Sequence, residues 1–400
     1  MPSASPTSPA APLAGIRVVE LGQYIAGPGA TMTLAELGAS VVKIEPVAGD
    51  QARHIGRYGE AMVRACNRGK RSIALDLQRD AAREVALRLI AQADVVVQNL
   101  RPGVVARLGL DADTVRARWP RLVYLSISGF GSRGPSCARP GYDIAAQAES
   151  GLMSVTGEPA RPPQKVGVPI VDAAAAQMGA QAVLAALFGR EKSGIGATIE
   201  TSLFEVAMHL QASTWADYLS GAPEPTRMGD GQPHNAPAAE VIPTRDGHIV
   251  LSAYADDHWQ RLCRVLGRDE LAGDERFSSN ERRVAHRDAL RAVLRECLSG
   301  RSSEECVALL SREQIVVGAV RSYSQVLQSA DLACSGLVVH ATGPGERPYR
   351  ALALPYRFDD ARRPAPPAAP ACGADSDALL TEAGFDSGEI AALRRSGAVA

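Results

Sequence analysis

The fold is decided by the stretch IRVVELGQYIAGPGATMTLAELGASVVKIE, residues 16–45. It opens with the short apolar run IRVVEL (16–21), which predicts a β-strand, and it closes with SVVKIE (40–45), which predicts a second one. Between them, residues 30–38 favour a helix that ends at a glycine. A strand, a helix and another strand in this order predict a parallel βαβ unit.

The same alternation continues as far as residue 128. Further strands are predicted over 72–77, 94–100 and 122–128, and helices over 80–92, 103–108 and 111–119. Strands that alternate with helices indicate an α/β fold with a large, doubly wound, parallel-sheet domain of the Rossmann-like type. Because ligands of such sheets bind at the carboxyl ends of the strands, the residues that follow the strands are the first candidates for a site.

The rest of the chain predicts a second, smaller domain. Residues 129–169 are rich in glycine and proline around one helix (144–153), and they lead to a strand-like run (166–171) and a long helix (173–190). Glycines and prolines in 221–243 indicate a linker. A strand over 247–254 and helices over 257–266, 287–298 and 303–311 then predict a smaller α+β domain. The last segment has short strands, the proline-rich run RRPAPPAAPACGADS (362–376) and a terminal helix (376–395).

The composition is that of an ordinary globular protein. Among 400 residues, 43 lysines and arginines balance 44 aspartates and glutamates, and 46% of the residues are hydrophobic. This balance does not indicate nucleic-acid or membrane binding as the main task. No apolar run approaches the ~18 residues of a membrane span, so no transmembrane helix is expected.

The cysteines and the first residues suggest a cytoplasmic location. The seven cysteines are scattered and none has the spacing of a zinc ligand, so we expect reduced thiols and no metal site. Residues 1–12 have neither the basic nor the apolar region of a signal peptide, and we interpret them as a flexible leader.

Asp172 is the strongest single candidate for chemistry. It lies in KVGVPIVDAAAAQMGAQAVLAALF (165–188), where the strand-like run meets the predicted helix. Aspartate is common at the N-cap of a helix, so a capping role is one interpretation. The other is that the helix start keeps the carboxylate ionised, because free N–H groups and the helix dipole favour negative charge, and that Asp172 is a covalent nucleophile toward an acyl group.

Two other motifs are weaker. SGFGSRGP (128–135) contains G-x-G-x-x-G after a strand, but no helix follows it, so a dinucleotide site is not favoured and a flexible loop over an active site is. Arg71, Arg101, Arg107 and Arg139 fall near predicted strand ends or the glycine-rich loop. They are either solvated surface residues or a group that binds phosphates, with Asn99 as a neighbouring hydrogen-bonding residue or a helix cap.

Many separate motifs of the chain resemble family III CoA-transferases, the formyl-CoA transferase and carnitine CoA-transferase type. They run from about residue 13 to about residue 338 and include PLAGIRVVELGQYIAGPGATMTLAELGASVVKIEP, NRGKRSIALDL, ADVVVQNLRPGVVARLGLD, RPGYDIAAQAESGLMSVTGEP and KVGVPIVDAAAAQMGAQAVLAALFGREKSGIGATIETSLFE. The order of so many motifs is more specific than any single one.

The resemblance implies a function and a set of residues. Asp172 stands at the family's catalytic aspartate, which attacks an acyl-CoA thioester and carries the transfer through an aspartyl anhydride and an aspartyl-CoA thioester. CoA and acyl-CoA are then substrates, and no cofactor is permanently bound. The positions that correspond to CoA contacts are Ile25, Ala26, Leu75, Asn99, Leu100, Arg107 and Arg139.

The chain also departs from the formyl-CoA transferase pattern. Ile25 replaces a glutamine and Pro46 replaces a CoA-contacting arginine. The glycine-rich loop of the second domain is not recognisable near residues 248–254. Formate and oxalate are therefore not expected as substrates. From the substrates that are usual in the family, we expect succinyl-CoA together with a dicarboxylic or other small organic acid.

The sequence has three alternative interpretations besides a transferase. The α-methylacyl-CoA racemases share the fold but deprotonate the α-carbon with a His/Asp pair, and their histidine occupies the place of Tyr142. A tyrosine phenol is a poor base at neutral pH, which favours the transferase. A nucleotide-binding oxidoreductase is not supported by the glycine motif, and the retained Asp172 argues against a catalytically silent acyl-CoA binder.

The resemblance further implies the architecture. It predicts a two-domain subunit whose large domain is built from both chain ends, and a homodimer whose two chains interlock. The predicted boundaries are 13–220 for the first part of the large CoA-binding domain, 221–243 for a linker, 244–330 for the small domain, and 331–400 for a linker and the return to the large domain.

Overall fold

The computed structural model describes residues 11–343, 346–359, 362–364 and 366–400. The predicted leader, residues 1–12, lies outside the described residues except for its last two positions. The chain divides into two units: unit 1 runs to Gly151 and includes Val166–Trp215 and Ala333–Ala400, and unit 2 comprises Leu152–Lys165 and Ala216–Leu332. The domain boundaries expected from the sequence stay a prediction.

The secondary structure alternates as expected in its first half. The strands are β1 (Arg17–Leu21), β2 (Ser40–Glu45), β3 (Lys70–Ala74), β4 (Val95–Gln98), β5 (Val123–Ser128), β6 (Thr198–Ser202), β7 (Glu240–Pro243), β8 (His248–Ser252), β9 (Val316–Ala319), β10 (Val338–Gly343) and β11 (Glu346–Leu352). The α-helices are α1 (Ala26–Glu36), α2 (Gly56–Cys66), α3 (Asp80–Ala91), α4 (Val104–Arg107), α5 (Ala112–Arg118), α6 (Asp143–Glu149), α7 (Leu152–Val155), α8 (Ile170–Ser193), α9 (Leu203–His209), α10 (Ala212–Leu219), α11 (Asp256–Val265), α12 (Asn280–Ala285), α13 (Arg287–Leu298), α14 (Ser303–Arg312), α15 (Tyr323–Leu327), α16 (Ala330–Ser335), α17 (Ser376–Glu382) and α18 (Ser387–Arg395).

A six-stranded sheet organises unit 1. Its order is β3-β2-β1-β4-β5-β6, and every pair of neighbours is parallel. Helices α3, α5, α17 and α18 contribute to the core on one face, and α1 and α8 pack against the other. Apolar side chains on both faces are typical of such a covered parallel sheet. The predicted α/β fold is confirmed at this level.

Small residues let α1 and α8 approach closely on that second face. A methyl group added to Gly29 of α1 would lie 2.9 Å from the Cβ of Ala176 in α8. The alanine-rich sequence of α8 therefore serves its packing, and this packing fixes the helix that carries Asp172.

Helix α8 bears on the expectation that the chain has no transmembrane helix. It has 24 residues and a mean hydropathy of 1.4 over its most apolar window, so within the described chain it is the one helix long and apolar enough to cross a membrane. Core helices meet the same criteria, and the contacts of α8 with α1 and β5 give it such a core position.

Charged residues lie buried beside the first three strands. Glu20 is fully buried, and its carboxylate binds the ammonium groups of Lys43 at 2.7 Å and Lys70 at 2.6 Å. Asp50 pairs with Lys43 at 3.0 Å. Burial alone would lower the pKa of a lysine, and burial does lower that of Lys70 to about 8. Glu20, Lys43, Lys70 and Asp50 each contact an opposite charge, which offsets part of the cost of their burial.

The C-terminal residues cover the edge of the sheet in unit 1. Val399 bridges to Leu75 next to β3, and the core includes Leu379, Leu380 and Leu393 from the last two helices. The sequence predicts one helix over 376–395, which is wrong. The chain breaks into α17 and α18 because Gly384 adopts a φ of 87°, outside helical values.

Unit 2 has its own core. Its sheet is antiparallel, with the order β7-β8-β9, and apolar side chains of α11, α13 and α14 pack with it. The buried Glu240 of β7 binds the guanidinium groups of Arg287 and Arg291. Strands and helices that share one core in this way make unit 2 an α+β structure.

Candidate active site

A cavity of about 450 Å³ lies in unit 1 at the carboxyl ends of β1, β4 and β5. The strand order reverses between β1 and β4, and this is the switch point where ligands bind in doubly wound sheets. The residues that line the cavity are Gln23, Tyr24, Ile25, Ala26, Gln51, Asn99, Leu100, Arg101, Pro102, Val104, Ile127, Ser128, Gly129, Arg139, Pro140, Gly141, Tyr142, Asp172 and Leu203.

Asp172 lines this cavity from the first turn of α8. The helix begins at Ile170 after Pro169, so Asp172 is inside the helix and is not its N-cap. Its side chain is partly buried, and within the described parts of the chain no group donates a hydrogen bond to its carboxylate. The capping interpretation is therefore wrong, and the carboxylate is available to a ligand.

The strand predicted over 166–171 is also wrong. Residues 166–169 are irregular and the helix has already begun at 170. The N–H group of Val166 donates to the Gln147 side chain at 2.9 Å, and that of Val171 donates to Asp143 Oδ2 at 2.7 Å. Side chains of α6 thus supply the acceptors that a neighbouring strand would have supplied.

Asp143 caps α8 from another helix. Its Oδ2 accepts the N–H groups of Val171 at 2.7 Å and of Asp172 at 3.1 Å, and its side chain is buried. Sequence reasoning missed this residue. The signal was its position directly after Tyr142 in RPGYD, but a chain-local pattern does not show which distant helix an aspartate caps.

The electrostatics at Asp172 are the reverse of the expectation. Its pKa is raised to about 7, because the carboxyl is buried and because the negative charge of Asp143 is close. The sequence predicts that free N–H groups at the helix start stabilise the ionised form of Asp172. The relevant N–H groups instead bond to Asp143, which leaves Asp172 buried beside a like charge.

Asn99 holds the loop that follows β1. Its Oδ1 accepts the N–H of Gln23 at 2.8 Å, and its Nδ2 donates to the carbonyl of Gln23 at 2.9 Å. This pair of bonds joins the carboxyl ends of β1 and β4 across the switch point. Asn99 and the neighbouring Leu100 line the cavity as predicted residues, with Ile25 and Ala26 at the start of α1.

Two tyrosines form part of the cavity wall. Tyr24 has a φ of 63°, a conformation that a bulky residue rarely adopts. Its N–H donates to Asp50 Oδ1 at 3.2 Å and its hydroxyl to Gln51 Oε1 at 2.7 Å, which hold it there. Its ring meets that of Tyr142 edge to face, with centroids 5.7 Å apart. Asp50 also pairs with the buried Lys43, so it connects the buried charges beside the first three strands to the cavity wall.

The cavity is lined by two of the four candidate arginines, and the other two lie elsewhere. Arg101 and Arg139 line it, and Arg139 also pairs with Glu149 at 2.6 Å. Arg107 is exposed at the end of α4 and is not among the lining residues. Arg71 lies at the start of β3, where it pairs with Glu382. The expectation for Arg71 is wrong because Arg71 lies at the amino end of β3, whereas the cavity lies at the carboxyl ends of the strands.

Leu75, another predicted CoA contact, is 1% exposed and packs in the core beside the C-terminal residues. Its N–H group donates to the carbonyl of Glu45 at 2.8 Å. In this structure Leu75 does not line the cavity.

The glycine-rich loop contributes to the cavity through Gly129. A methyl group on Gly129 would lie 2.6 Å from the Cα of Gly141, so the two loops meet backbone to backbone. No helix opens directly after the glycine motif, since α6 begins only at Asp143. Across the described ranges, no cluster of histidine, cysteine, aspartate and glutamate has the geometry of a metal site.

Comparison with known proteins agrees with this geometry. The model of CoA-transferase family III matches residues 13–376. A succinate–glutarate CoA-transferase of Agrobacterium fabrum is 35% identical over 373 residues, which cover 89% of this chain and 92% of the relative. A succinyl-CoA:mesaconate CoA-transferase of Haloarcula marismortui is 32% identical over 390 residues, 93% of this chain and 96% of the relative.

Solved structures show the same fold. A CaiB/BaiF family protein from Brucella suis has a TM-score of 0.83 and 36% identity, and the match covers 93% of this chain and 99% of that one. A Mycobacterium tuberculosis protein superposes with a TM-score of 0.84 at 33% identity, over 93% of this chain and 100% of that one. With a family match over most of its length, the chain belongs to CoA-transferase family III and is a CoA-transferase.

Proposed function

We propose that this chain moves CoA from an acyl-CoA thioester to a carboxylic acid through covalent adducts on Asp172. The observation that carries the proposal is the carboxylate of Asp172, which lies in the cavity at the switch point of the sheet and accepts no hydrogen bond from any residue that the structure describes. A carboxylate can be a covalent nucleophile when it is positioned and shielded from water. Because its pKa is about 7, Asp172 is mostly ionised at pH 8.

The first half of the reaction loads CoA onto the enzyme. An oxygen of the Asp172 carboxylate attacks the thioester carbonyl, the C–S bond breaks, and CoA leaves as a thiolate with a mixed anhydride behind it. The thiolate then attacks the Asp172 carbonyl of the anhydride. The C–O bond breaks, the donor acid leaves as a carboxylate, and an aspartyl-CoA thioester remains.

The second half repeats these steps in reverse order with the acceptor. The acceptor carboxylate attacks the aspartyl thioester and expels the CoA thiolate, which gives an anhydride between Asp172 and the acceptor. The thiolate attacks the acceptor carbonyl, and the C–O bond to Asp172 breaks. The new acyl-CoA leaves, Asp172 is a carboxylate again, and no net proton is consumed.

The cavity wall offers groups for these steps. Helix α1 begins at Ala26 without a side-chain cap, so its first N–H groups can stabilise a developing oxyanion. The rings of Tyr24 and Tyr142 shield the cavity from water. Arg101 and Arg139 provide positive charge for the phosphates of CoA. Of the other predicted CoA contacts, Ile25, Ala26, Asn99 and Leu100 line the cavity, whereas Leu75 and Arg107 do not, and their roles stay predictions.

The substrate pair is proposed from the relatives. The names of two of them pair succinate or succinyl-CoA with another dicarboxylic acid, glutarate in one and mesaconate in the other. We therefore propose succinyl-CoA as the donor and a small dicarboxylic acid as the acceptor. A screen of carboxylic acids against succinyl-, acetyl- and aromatic acyl-CoA, read by mass spectrometry, tests this choice.

Trapping of the adduct tests the mechanism. Hydroxylamine should convert Asp172 to a hydroxamate only after acyl-CoA is added, and peptide mass should place the change on Asp172. Asp172→Asn should abolish both trapping and transfer. Asp386→Asn, the same change at the start of α18, is the matched control and should behave as the wild type. Normal turnover of the Asp172 variant would refute the mechanism.

The racemase alternative is not favoured. Tyr142, at the position of the racemase histidine, lines the cavity, and among the described residues no histidine does. Incubation of a 2-methylacyl-CoA with the enzyme in D₂O should give no enzyme-dependent deuteration at the α-carbon. Rapid deuteration would favour the racemase.

Assembly and compartment are part of the proposal. We propose the interlocked homodimer of the family, since large apolar side chains such as Phe188, Leu219 and Tyr323 are more than half exposed and would be covered by a partner. Sedimentation should give twice the mass of the chain.

We also propose that the protein is located in the cytoplasm, because all seven cysteines are unpaired, as in a reducing compartment.

A further inference from the structure

Two buried side chains of α6 hold the segment that leads into α8. Gln147 is fully buried and accepts the N–H of Val166, and Asp143 accepts the N–H groups of Val171 and Asp172. Gln147 also donates to Asp143, so the two acceptors are tied together. The start of α8 therefore takes its position from α6 and not from its own sequence.

We propose that Asp143 is a positioning residue for the reaction at Asp172, because it anchors the first turn of α8 through two N–H groups and sets a second carboxylate beside the reacting one. The proposal rests on Asp172 as the nucleophile. Asp143 itself is buried behind the cavity wall and is not among the cavity residues, so it acts through Asp172 and not on the substrate.

The charged groups around Asp172 single out Asp143. Tyr24, Tyr142, Arg101 and Arg139 also line the cavity, but burial and the nearby charge of Asp143 are what raise the pKa of Asp172.

The titratable side chains on the other elements packed against α8 are not among the groups that raise the pKa of Asp172, and His209 at the end of α9 is one of them. In α1 the first titratable side chain is Glu36, at its far end, and in α9 Glu205 accepts a hydrogen bond from Ser202. In the middle of β6, the strand that precedes α9, Glu200 accepts a hydrogen bond from Ser132.

A second carboxylate helps the chemistry in a specific way. A thiolate is far more basic than an ordinary carboxylate, so displacement of CoA by an aspartate of normal basicity is uphill. Raising the basicity of Asp172 reduces the difference in basicity between the carboxylate and the thiolate, and it makes the carboxylate a better nucleophile. The anchored backbone at the same time keeps the carboxylate directed into the cavity, where an acyl group can meet it.

Asp143→Asn tests the proposal, because asparagine keeps an acceptor for the two N–H groups while it removes the charge and the bond that Gln147 donates to the other oxygen. The pH dependence of acyl-enzyme formation should have its midpoint near 7 in the wild type. In the variant we expect the midpoint to fall by at least one pH unit and the rate at pH 8 to fall about tenfold. Asp386→Asn should change neither quantity.

Asp143→Glu separates charge from fold. It keeps the negative charge and lengthens the side chain, so we expect the midpoint to stay near that of the wild type while kcat falls about tenfold. A wild-type midpoint and rate in Asp143→Asn overturns the proposal. If that variant does not fold, an unchanged kcat in Asp143→Glu overturns it. The proposed function fails separately, when Asp172→Asn still turns over.

Discussion

Asp172→Asn should make the protein more stable at alkaline pH while it removes the activity. The unfolded carboxyl ionises near 3.8, and the folded one near 7. The native state therefore holds its proton more tightly than the unfolded chain does. Stability that is fully present below pH 4 is lost as the pH rises to 7, because the native state must then keep an ionised carboxylate in an unfavourable place.

The size of this effect follows from the same shift. A rise of the pKa from 3.8 to about 7 corresponds to about 4 kcal/mol of unfolding free energy as an upper limit. Asp172 keeps some solvent contact through the cavity, which screens the effect, so we expect about 1–3 kcal/mol. Asparagine has nearly the same shape and no charge, and it should recover this energy at pH 8.

The difference in unfolding free energy between the wild type and Asp172→Asn is measured by urea unfolding at pH 8 and at pH 4. We expect the variant to gain about 1–3 kcal/mol at pH 8 and much less at pH 4, where the folded wild-type carboxyl is protonated and the unfolded one is only about half ionised. Asp386→Asn, which caps α18 on the surface, should show no such pH-dependent gain. An equal difference at both pH values, or a loss at pH 8, would refute the electrostatic reasoning.

Three further predictions, one of them with a control variant, concern other parts of unit 1. Lys70→Met removes one partner of the buried Glu20 and should lower the free energy of unfolding by about 3–5 kcal/mol in urea; a neutral result would mean that the ion pair is dispensable. Arg139→Met should raise the KM for acyl-CoA about tenfold with little change in kcat, whereas Arg71→Met should leave the KM unchanged because Arg71 lies outside the cavity, at the amino end of β3. Equal effects of the two arginine changes would contradict the assignment of the cavity. Asn99→Ala removes both bonds to the loop after β1 and should weaken CoA binding, measured by calorimetry, by about 1–2 kcal/mol; unchanged affinity would show that the loop keeps its place without them.

Sequence reasoning reached the fold because the relevant signals are local. The strand over 40–45 and the helix over 80–92 match β2 and α3 within one residue, since their apolar periodicity and bounding residues lie within the element itself. Asp172 also stood out locally, as the acidic residue at the start of an apolar helix. The parallel sheet follows from this alternation, and with it the edge where the cavity lies.

What the sequence did not show depends on distant partners. The run 166–171 has the composition of a strand, but its N–H groups bond to Asp143 and Gln147, about twenty to thirty positions earlier. From the sequence Arg71 is a candidate phosphate ligand, but in the fold it pairs with Glu382, which lies far along the chain. The sign of the pKa shift at Asp172 was missed for the same reason, since the shift arises from burial and from a residue of another helix.

The contact between Gly129 and Gly141 has a consequence for how this family can diversify. Because an added Cβ at either position would lie within 2.7 Å of the other residue's Cα, a side chain at one glycine would require the opposite backbone to move. The two positions are therefore expected to stay glycine together in related sequences, or to change together with a shift of the loops. Substrate preference can evolve at the residues on either side of this contact, while the contact itself sets the spacing between the two loops on which those residues stand.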